Sequence, residues 1–167
     1  YQAGGRIDVT NAFDHGASSY WDNTAFTSSV FTVKTNSTVN ASGGTYYAYC
    51  WSEIEGYSKF GWFMGTGYSS DNGAVFVYTG FKPAWVMTKC TSDGSSWTVH
   101  DNAHEPYNPN KKCFDAATGA AENSNLMIWD FNANGFKARD GGGNNVRGRD
   151  HIFIAFAETP FKYATAK

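Results

Sequence analysis

Charge is scarce in this sequence: Asp, Glu, Lys and Arg together supply 17% of 167 residues, against roughly a quarter in an ordinary domain. The formal net charge is −2, and like charges never run together. Neutralising phosphates requires clustered Lys and Arg, so the composition argues against a nucleic-acid partner. The nearest basic pair, Arg147 and Arg149, is followed at once by Asp150. Long apolar runs are missing as well. No stretch approaches the ~18 residues of a membrane span, and no membrane partner is expected. Cys50, Cys90 and Cys113 are far apart and odd in number, which is no disulfide framework and offers no C-x-x-C pair for zinc. Cys50 and Cys90 fall in strand-like apolar runs and read as small buried hydrophobes. The sequence opens at Tyr1 rather than Met, which leaves a trimmed or processed start open.

Helical periodicity is nearly absent. Its best candidate, Phe114 to Asn123, is interrupted by Gly119 and predicts at most a short helical turn. What the chain has instead is 17% aromatic residues and 18 glycines. Aromatic and β-branched runs punctuated by Gly, Asn, Asp and Ser are the composition of short strands and tight turns. Strands are predicted at Phe31 to Lys34, Tyr46 to Glu53, Gly73 to Thr79, Pro83 to Lys89, Ser96 to His100, Leu126 to Asp130, Phe136 to Arg139 and His151 to Glu158. Asp93-Gly94 predicts a hairpin, because Asp-Gly adopts the positive φ values of a tight turn. The expected fold is a single all-β module over 1–167, an antiparallel, jelly-roll-like sandwich with little helix.

An internal echo sharpens this. Phe31, Asn40, Gly43 and Glu53 recur as Phe136, Asn145, Gly148 and Glu158, at a constant offset of 105, with Lys34 and Arg139 in the same register. Each copy runs from a Phe-started strand through a Gly/Asn loop into an aromatic strand ending in Glu. Segments 31–53 and 136–158 therefore predict two related halves closing one core, two repeats being too few for a solenoid.

Several ordered segments resemble a module of marine tailed bacteriophages. They are Val39-Asn-Ala-Ser-Gly-Gly-Thr-Tyr-Tyr47, Glu53-Ile-Glu-Gly-Tyr-Ser-Lys-Phe-Gly61, Phe76-Val-Tyr-Thr-Gly-Phe-Lys-Pro-Ala-Trp-Val-Met-Thr-Lys89, Tyr107-Asn-Pro-Asn-Lys111, Asn134-Gly-Phe-Lys137 and Ile154-Ala-Phe-Ala-Glu-Thr-Pro-Phe-Lys162. The resemblance covers the chain from Phe31 onward; the first thirty residues depart from it, with a shortened opening half-repeat. It implies a β-rich part of tail spikes and fibres, or of proteins decorating the particle, and it brings no catalytic residue.

Candidate chemistry is thin. His100-Asp-Asn-Ala-His104-Glu105 could ligate a metal on a helix, but it continues a strand toward Pro106 and Pro109, so polar strand-end and loop residues are expected and no metal or cofactor. Glu53 and Glu158, equivalent in the two halves, could form a glycosidase pair at about 5–9 Å. Duplication accounts for them without catalysis, each accepting hydrogen bonds from loop amides. Neither a G-x-S-x-G elbow nor a P-loop is present. Asn36-Ser-Thr38 and Asn40-Ala-Ser42 match glycosylation sequons that a bacterial virus would not use.

Contact residues are a different matter. Tyr57, Lys59, Phe60, Trp62 and Tyr68 lie in or beside a Gly-rich stretch, where exposed aromatics suit protein interfaces and sugar stacking. Gly56 and Gly61 argue against a continuous strand there. The first expectation is a non-enzymatic homo-oligomer on the outside of the phage head, decorating and stabilising the major capsid protein lattice. The second is a tail-spike or tail-fibre tip recognising a host-surface glycan or protein; the third, a minor one, is a glycan hydrolase using Glu53 and Glu158.

Overall fold

Strand-forming residues alternate between core and surface along most of the C-terminal two thirds of the chain. The structure, a computed structural model, describes residues 4–14, 20–21, 24–69 and 73–160. It divides into two compact units, Tyr1–Arg6 with Phe13–Trp51, and Ile7–Ala12 with Ser52–Lys167.

The second unit holds every named strand: β1 (Ser58–Met64), β2 (Phe76–Tyr78), β3 (Pro83–Cys90), β4 (Thr98–Asp101), β5 (Asn110–Asp115), β6 (Asn123–Asn132), β7 (Gly135–Ala138) and β8 (Asp150–Ala157). They form one eight-stranded sheet in the order β1-β8-β3-β4-β5-β6-β7-β2, antiparallel at each pairing. In β8, His151, Phe153 and Ala155 are buried while Ile152, Ile154 and Phe156 are half-buried, the two faces of a pleated strand. The sheet curls until its first strand packs against its far end. Phe63 of β1 meets Trp129 of β6 at 6.0 Å and Phe136 of β7 at 6.4 Å, both edge-to-face. Val77, Val86, Phe131 and Ala155 complete this core. The result is a nearly closed antiparallel barrel with little helix, as the composition predicts.

A β3–β4 hairpin forms where expected, with pairs from Trp85↔Asp101 to Thr88↔Thr98, but the seven-residue loop 91–97 closes it rather than a tight Asp93-Gly94 turn, and Gly94 does not take a positive φ. Lys89, at the end of β3, is fully buried. Its ammonium donates to the carbonyls of Thr10 (3.3 Å), Asp93 (3.2 Å) and Ser95 (2.6 Å). Three carbonyls thus replace the lost water, although burial still pulls its pKa below the ordinary lysine value. This clamp ties Ile7–Ala12 to the hairpin loop and explains why that segment belongs with the sheet.

The first unit contains the four-residue helix α1 (Ser37–Asn40), whose first turn is capped by the Asn36 side chain accepting from the Thr38 amide. It has two isolated bridges, Gly4↔Asp14 and Trp21↔Val33. Tyr46 Oη donates to the Ser37 carbonyl (2.7 Å) and accepts from the Ala41 amide (2.8 Å), closing the loop behind α1.

Several expectations are corrected. Phe31 to Lys34 contributes only the Val33 bridge, and Tyr46 to Glu53 forms no strand. Phe114 to Asn123 is not helical: it ends β5, turns and begins β6. Ser58–Met64 is a continuous strand despite Gly61, because Phe153 on β8 fills the space a side chain there would take; a Cβ on Gly61 would come within 2.8 Å of that ring. Cys50 is exposed, and Cys90 and Cys113 are buried.

The echo is nonetheless visible in local geometry. The bridge Trp21↔Val33 parallels the β6–β7 pair Trp129↔Ala138, with Val33 and Ala138 in the 105-residue register and the partner segment, before the echo begins, shifted to 108. The Lys34 amide donates to the Tyr20 carbonyl as the Arg139 amide does to that of Ile128. A helical turn follows in each copy, α1 ending at Asn40 and a 3-10 turn (Gly143–Asn145) ending at Asn145. Both Asn carboxamides donate to backbone carbonyls, Asn40 to Lys34 and Asn145 to Tyr68 and Asp140. Three residues later, Gly43 and Gly148 share a φ of 73°. Nothing crowds either glycine, so Gly148→Ala isolates the left-handed backbone cost. It is expected to lower stability by about 1 kcal/mol in a urea titration.

Candidate functional site

The sheet's two terminal strands, β1 and β2, are not hydrogen-bonded to each other. A cleft of about 330 Å³ lies between them, lined by Lys59, Phe60, Gly61, Trp62 and Phe63 of β1, Phe76, Val77 and Tyr78 of β2, and Phe153. Alternation sets its chemistry. Phe63 and Val77 point to the core, so their neighbours Trp62, Met64, Phe76 and Tyr78 face outward. Trp62 is 67% exposed and Tyr78 65%, an unusual amount of aromatic surface to leave in water.

Lys59 supplies the charge at one end. Its ammonium meets Glu53 Oε2 at 2.8 Å, while Glu53 Oε1 accepts from the Phe60 amide at 3.3 Å. The Lys59 hydrogen bond holds the Glu53 carboxyl below the ordinary glutamate value. Glu53 thus bridges the Lys59 ammonium to the β1 backbone at Phe60. Glu158 pairs with Lys82 at 2.8 Å and accepts from the Asn102 carboxamide at 2.8 Å. The equivalent glutamates thus engage different lysines.

A second aromatic group continues from the cleft across the outer face of β1, β8 and β3. Phe156 lies edge-on to Tyr57 at 5.9 Å and to Phe60 at 6.2 Å, and tilts against Trp85 at 5.7 Å. Of the residues singled out from sequence, Lys59, Phe60 and Trp62 line the cleft and Tyr57 joins this adjacent patch. Tyr68 does neither: its ring carries the Arg147 guanidinium at 5.9 Å, and its carbonyl is held by Asn145. Sequence reading passed over Phe76, Tyr78, Trp85 and Phe156. Their signal was present as period-2 alternation around Val77, Val86 and Ala155, but which phase faces the core becomes visible only when the sheet curls.

The His100–Glu105 cluster disperses. His100 is buried and its Nε2–H donates to the Met127 carbonyl at 2.9 Å. His104 turns to Glu122, and Glu105 accepts from the Lys112 amide at 2.8 Å. Among the described residues no three His, Cys, Asp or Glu side chains converge in a metal-binding group. Burial pushes the Cys113 thiol up to about 11, far from the thiolate a nucleophile needs.

A family model described as "Domain of unknown function (DUF7483)" matches residues 4–160. No curated protein and no solved structure matches the chain.

Proposed function

We propose that this chain, which belongs to the DUF7483 family, is a non-enzymatic structural module of a tailed-phage virion that decorates and stabilises the capsid surface. The observation that carries the reading is the open seam between β1 and β2, where two unpaired strand edges flank exposed aromatic residues. Such a surface favours adhesion, offering backbone groups for strand pairing and broad apolar contacts. Its setting on a phage comes from the resemblance of the ordered sequence segments. Homo-oligomerisation and contact with the major capsid protein lattice follow as parts of the same proposal, since repeated small contacts are how a module of this size grips a lattice.

Immunogold labelling of intact particles tests it. Label is expected over the head; label confined to the tail tip would sink head decoration. A Trp62→Ala, Tyr78→Ala chain should keep its melting temperature, because both side chains are exposed, yet lose at least about tenfold in particle binding. The second reading, a receptor-binding tip, draws on the same aromatic rings beside Lys59, which suit a sugar face. Adsorption of the purified module to host cells, abolished by the same substitutions, would favour it. The glycan-hydrolase reading predicts polysaccharide cleavage that Glu53→Gln and Glu158→Gln abolish.

A further inference from the structure

The edges of β1 and β2 are only partly protected against strand pairing, by the shortness of the three-residue β2 and by Lys59 in β1. Edge strands are normally blunted by lysine, proline or a bulge. Lys59 stands at one end of the cleft, but beyond it the C-terminal half of β1, Gly61-Trp-Phe-Met64, and the whole of β2, Phe76-Val-Tyr78, contain no charge and no proline, and no bulge interrupts the pairing of either strand with its neighbour.

The chain also carries a strand-like sequence that no sheet uses. Residues 44–53 pair with no strand. In the offset of 105, however, 46–52 correspond to His151–Ala157, the body of β8, which pairs on both edges, with β1 and β3. The two segments differ sharply in environment. His151, Phe153 and Ala155 are buried, whereas their equivalents Tyr46, Ala48 and Cys50 are exposed; Tyr47, Tyr49 and Trp51, which correspond to the half-buried Ile152, Ile154 and Phe156, are 87%, 78% and 64% exposed. Thr45-Tyr-Tyr-Ala-Tyr-Cys-Trp-Ser52 is free of charge, Pro and Gly, and has the aromatic composition of a segment with strong strand tendency. Tyr47, Tyr49 and Trp51 alternate at period 2, so a strand formed here would present all three on one face.

We infer that Tyr46–Trp51 of one copy adds as a β-strand to the open β1–β2 seam of a second copy. This deepens the structural-module reading and rests on it only for location on a virion. Donor segment and acceptor seam are different surfaces, so the contact is heterologous. It closes into a ring or propagates from copy to copy, the kind of association that suits a lattice-bound protein. Main-chain pairing supplies the general affinity of strand addition, and aromatic rings fitted into the cleft supply its specificity.

Cys50, exposed in the middle of the donor segment, makes the test direct, since Cys90 and Cys113 are buried. An untagged wild-type chain is mixed with a tagged Cys50→Ser, Tyr78→Cys chain at low micromolar concentration and mildly oxidised. The expected product is a disulfide-linked heterodimer joining Cys50 of one chain to the thiol introduced on β2 of the other. A tagged Cys50→Ser, Thr118→Cys chain, with its thiol in the exposed loop after β5, should give at least tenfold less. Sedimentation should show wild-type oligomers that Tyr49→Ser, Trp51→Ser reduces to monomers with unchanged sheet signal and melting temperature.

Equal crosslinking to both acceptor positions overturns the inference. So does a protein that sediments as a monomer throughout. The virion reading fails separately. Strand-exchanged oligomers with no label on particles sink the location alone, and monomers that still label the head sink strand exchange alone.

Discussion

Acidification from neutral pH to about pH 4 is expected to remove several kcal/mol of stability from the sheet unit, through two buried histidines. His100 and His151 are both fully buried. Burial pushes each imidazole from 6.5 down to about 4, partly opposed by the Met127 carbonyl and Glu105 at His100 and by Asp150 at His151. Neither ring nitrogen of His151 has a hydrogen-bond partner, and the ring stacks on Phe63 at 5.1 Å with an 8° interplanar angle. Both residues are therefore neutral in the folded protein.

The sign follows from the depressed folded value. Above about pH 6.5 both states are unprotonated and stability is complete. As pH falls from 6.5 toward 4 the unfolded chain takes up protons that the folded one refuses, so stability declines, and below about 4 the loss levels off. Each shift corresponds to about 3 kcal/mol at most. Asp140 works in the opposite sense, because burial raises its pKa and its protonation returns part of the loss. Urea midpoints across this range measure the effect. His151→Phe retains a ring to stack on Phe63 and removes one titration, so its profile should be about half as steep. Superimposable profiles for the two proteins would remove His151 from the account.

Phe136→Ala is expected to cost about 3–5 kcal/mol, the range for deleting a fully buried aromatic side chain. The ring is 0% exposed and edge-on to Trp129 at 4.9 Å, Phe153 at 5.4 Å and Phe63 at 6.4 Å. It thus joins β7, β6, β8 and β1 around one point, and no neighbour can collapse into the space without breaking other aromatic contacts. A loss that large is comparable with the whole stability of a modest domain, about 5–15 kcal/mol. Phe31, its equivalent in the echo, is 45% exposed, and Phe31→Ala should change stability by about 0.5 kcal/mol or less. Calorimetry on both variants separates them. Equal losses would mean that the first copy is buried as deeply as the second.

That contrast also marks where sequence reading succeeded and where it failed. The β3–β4 hairpin was legible because two strand-like runs flank a Ser/Asp/Gly cluster, although the connection is the loop 91–97 and not the tight Asp-Gly turn, and β8 because its period-2 run could pack one face without reference to anything distant. The same logic predicted a strand at Tyr46 to Glu53 and did not find one there: a strand needs a partner, and the alternation is silent about whether one arrives. Ser58–Met64 failed in the other direction. Gly61 reads as an interruption until Phe153 on β8 supplies the bulk that the glycine lacks. Asn110–Asp115 was passed over because Asn110-Lys-Lys carries little strand tendency, and its place between β4 and β6 supplies what local preference withholds.

The candidate site divides in the same way. Lys59, Phe60 and Trp62 could be named from an aromatic-rich stretch beside glycines. Phe76 and Tyr78 could not, because they join the cleft only when eight strands have curled and set β2 opposite β1. By itself the sequence determined an antiparallel β fold, low charge, and a 105-residue echo whose loop geometry, from the Asn40 and Asn145 carboxamides to the left-handed Gly43 and Gly148, is written into local residues. Only the tertiary structure decided which copy is built into the sheet, which aromatics form core and which are left in water. Those outcomes depend on pairings far apart in sequence, and a strand's two edges and two faces are equivalent until its neighbours arrive.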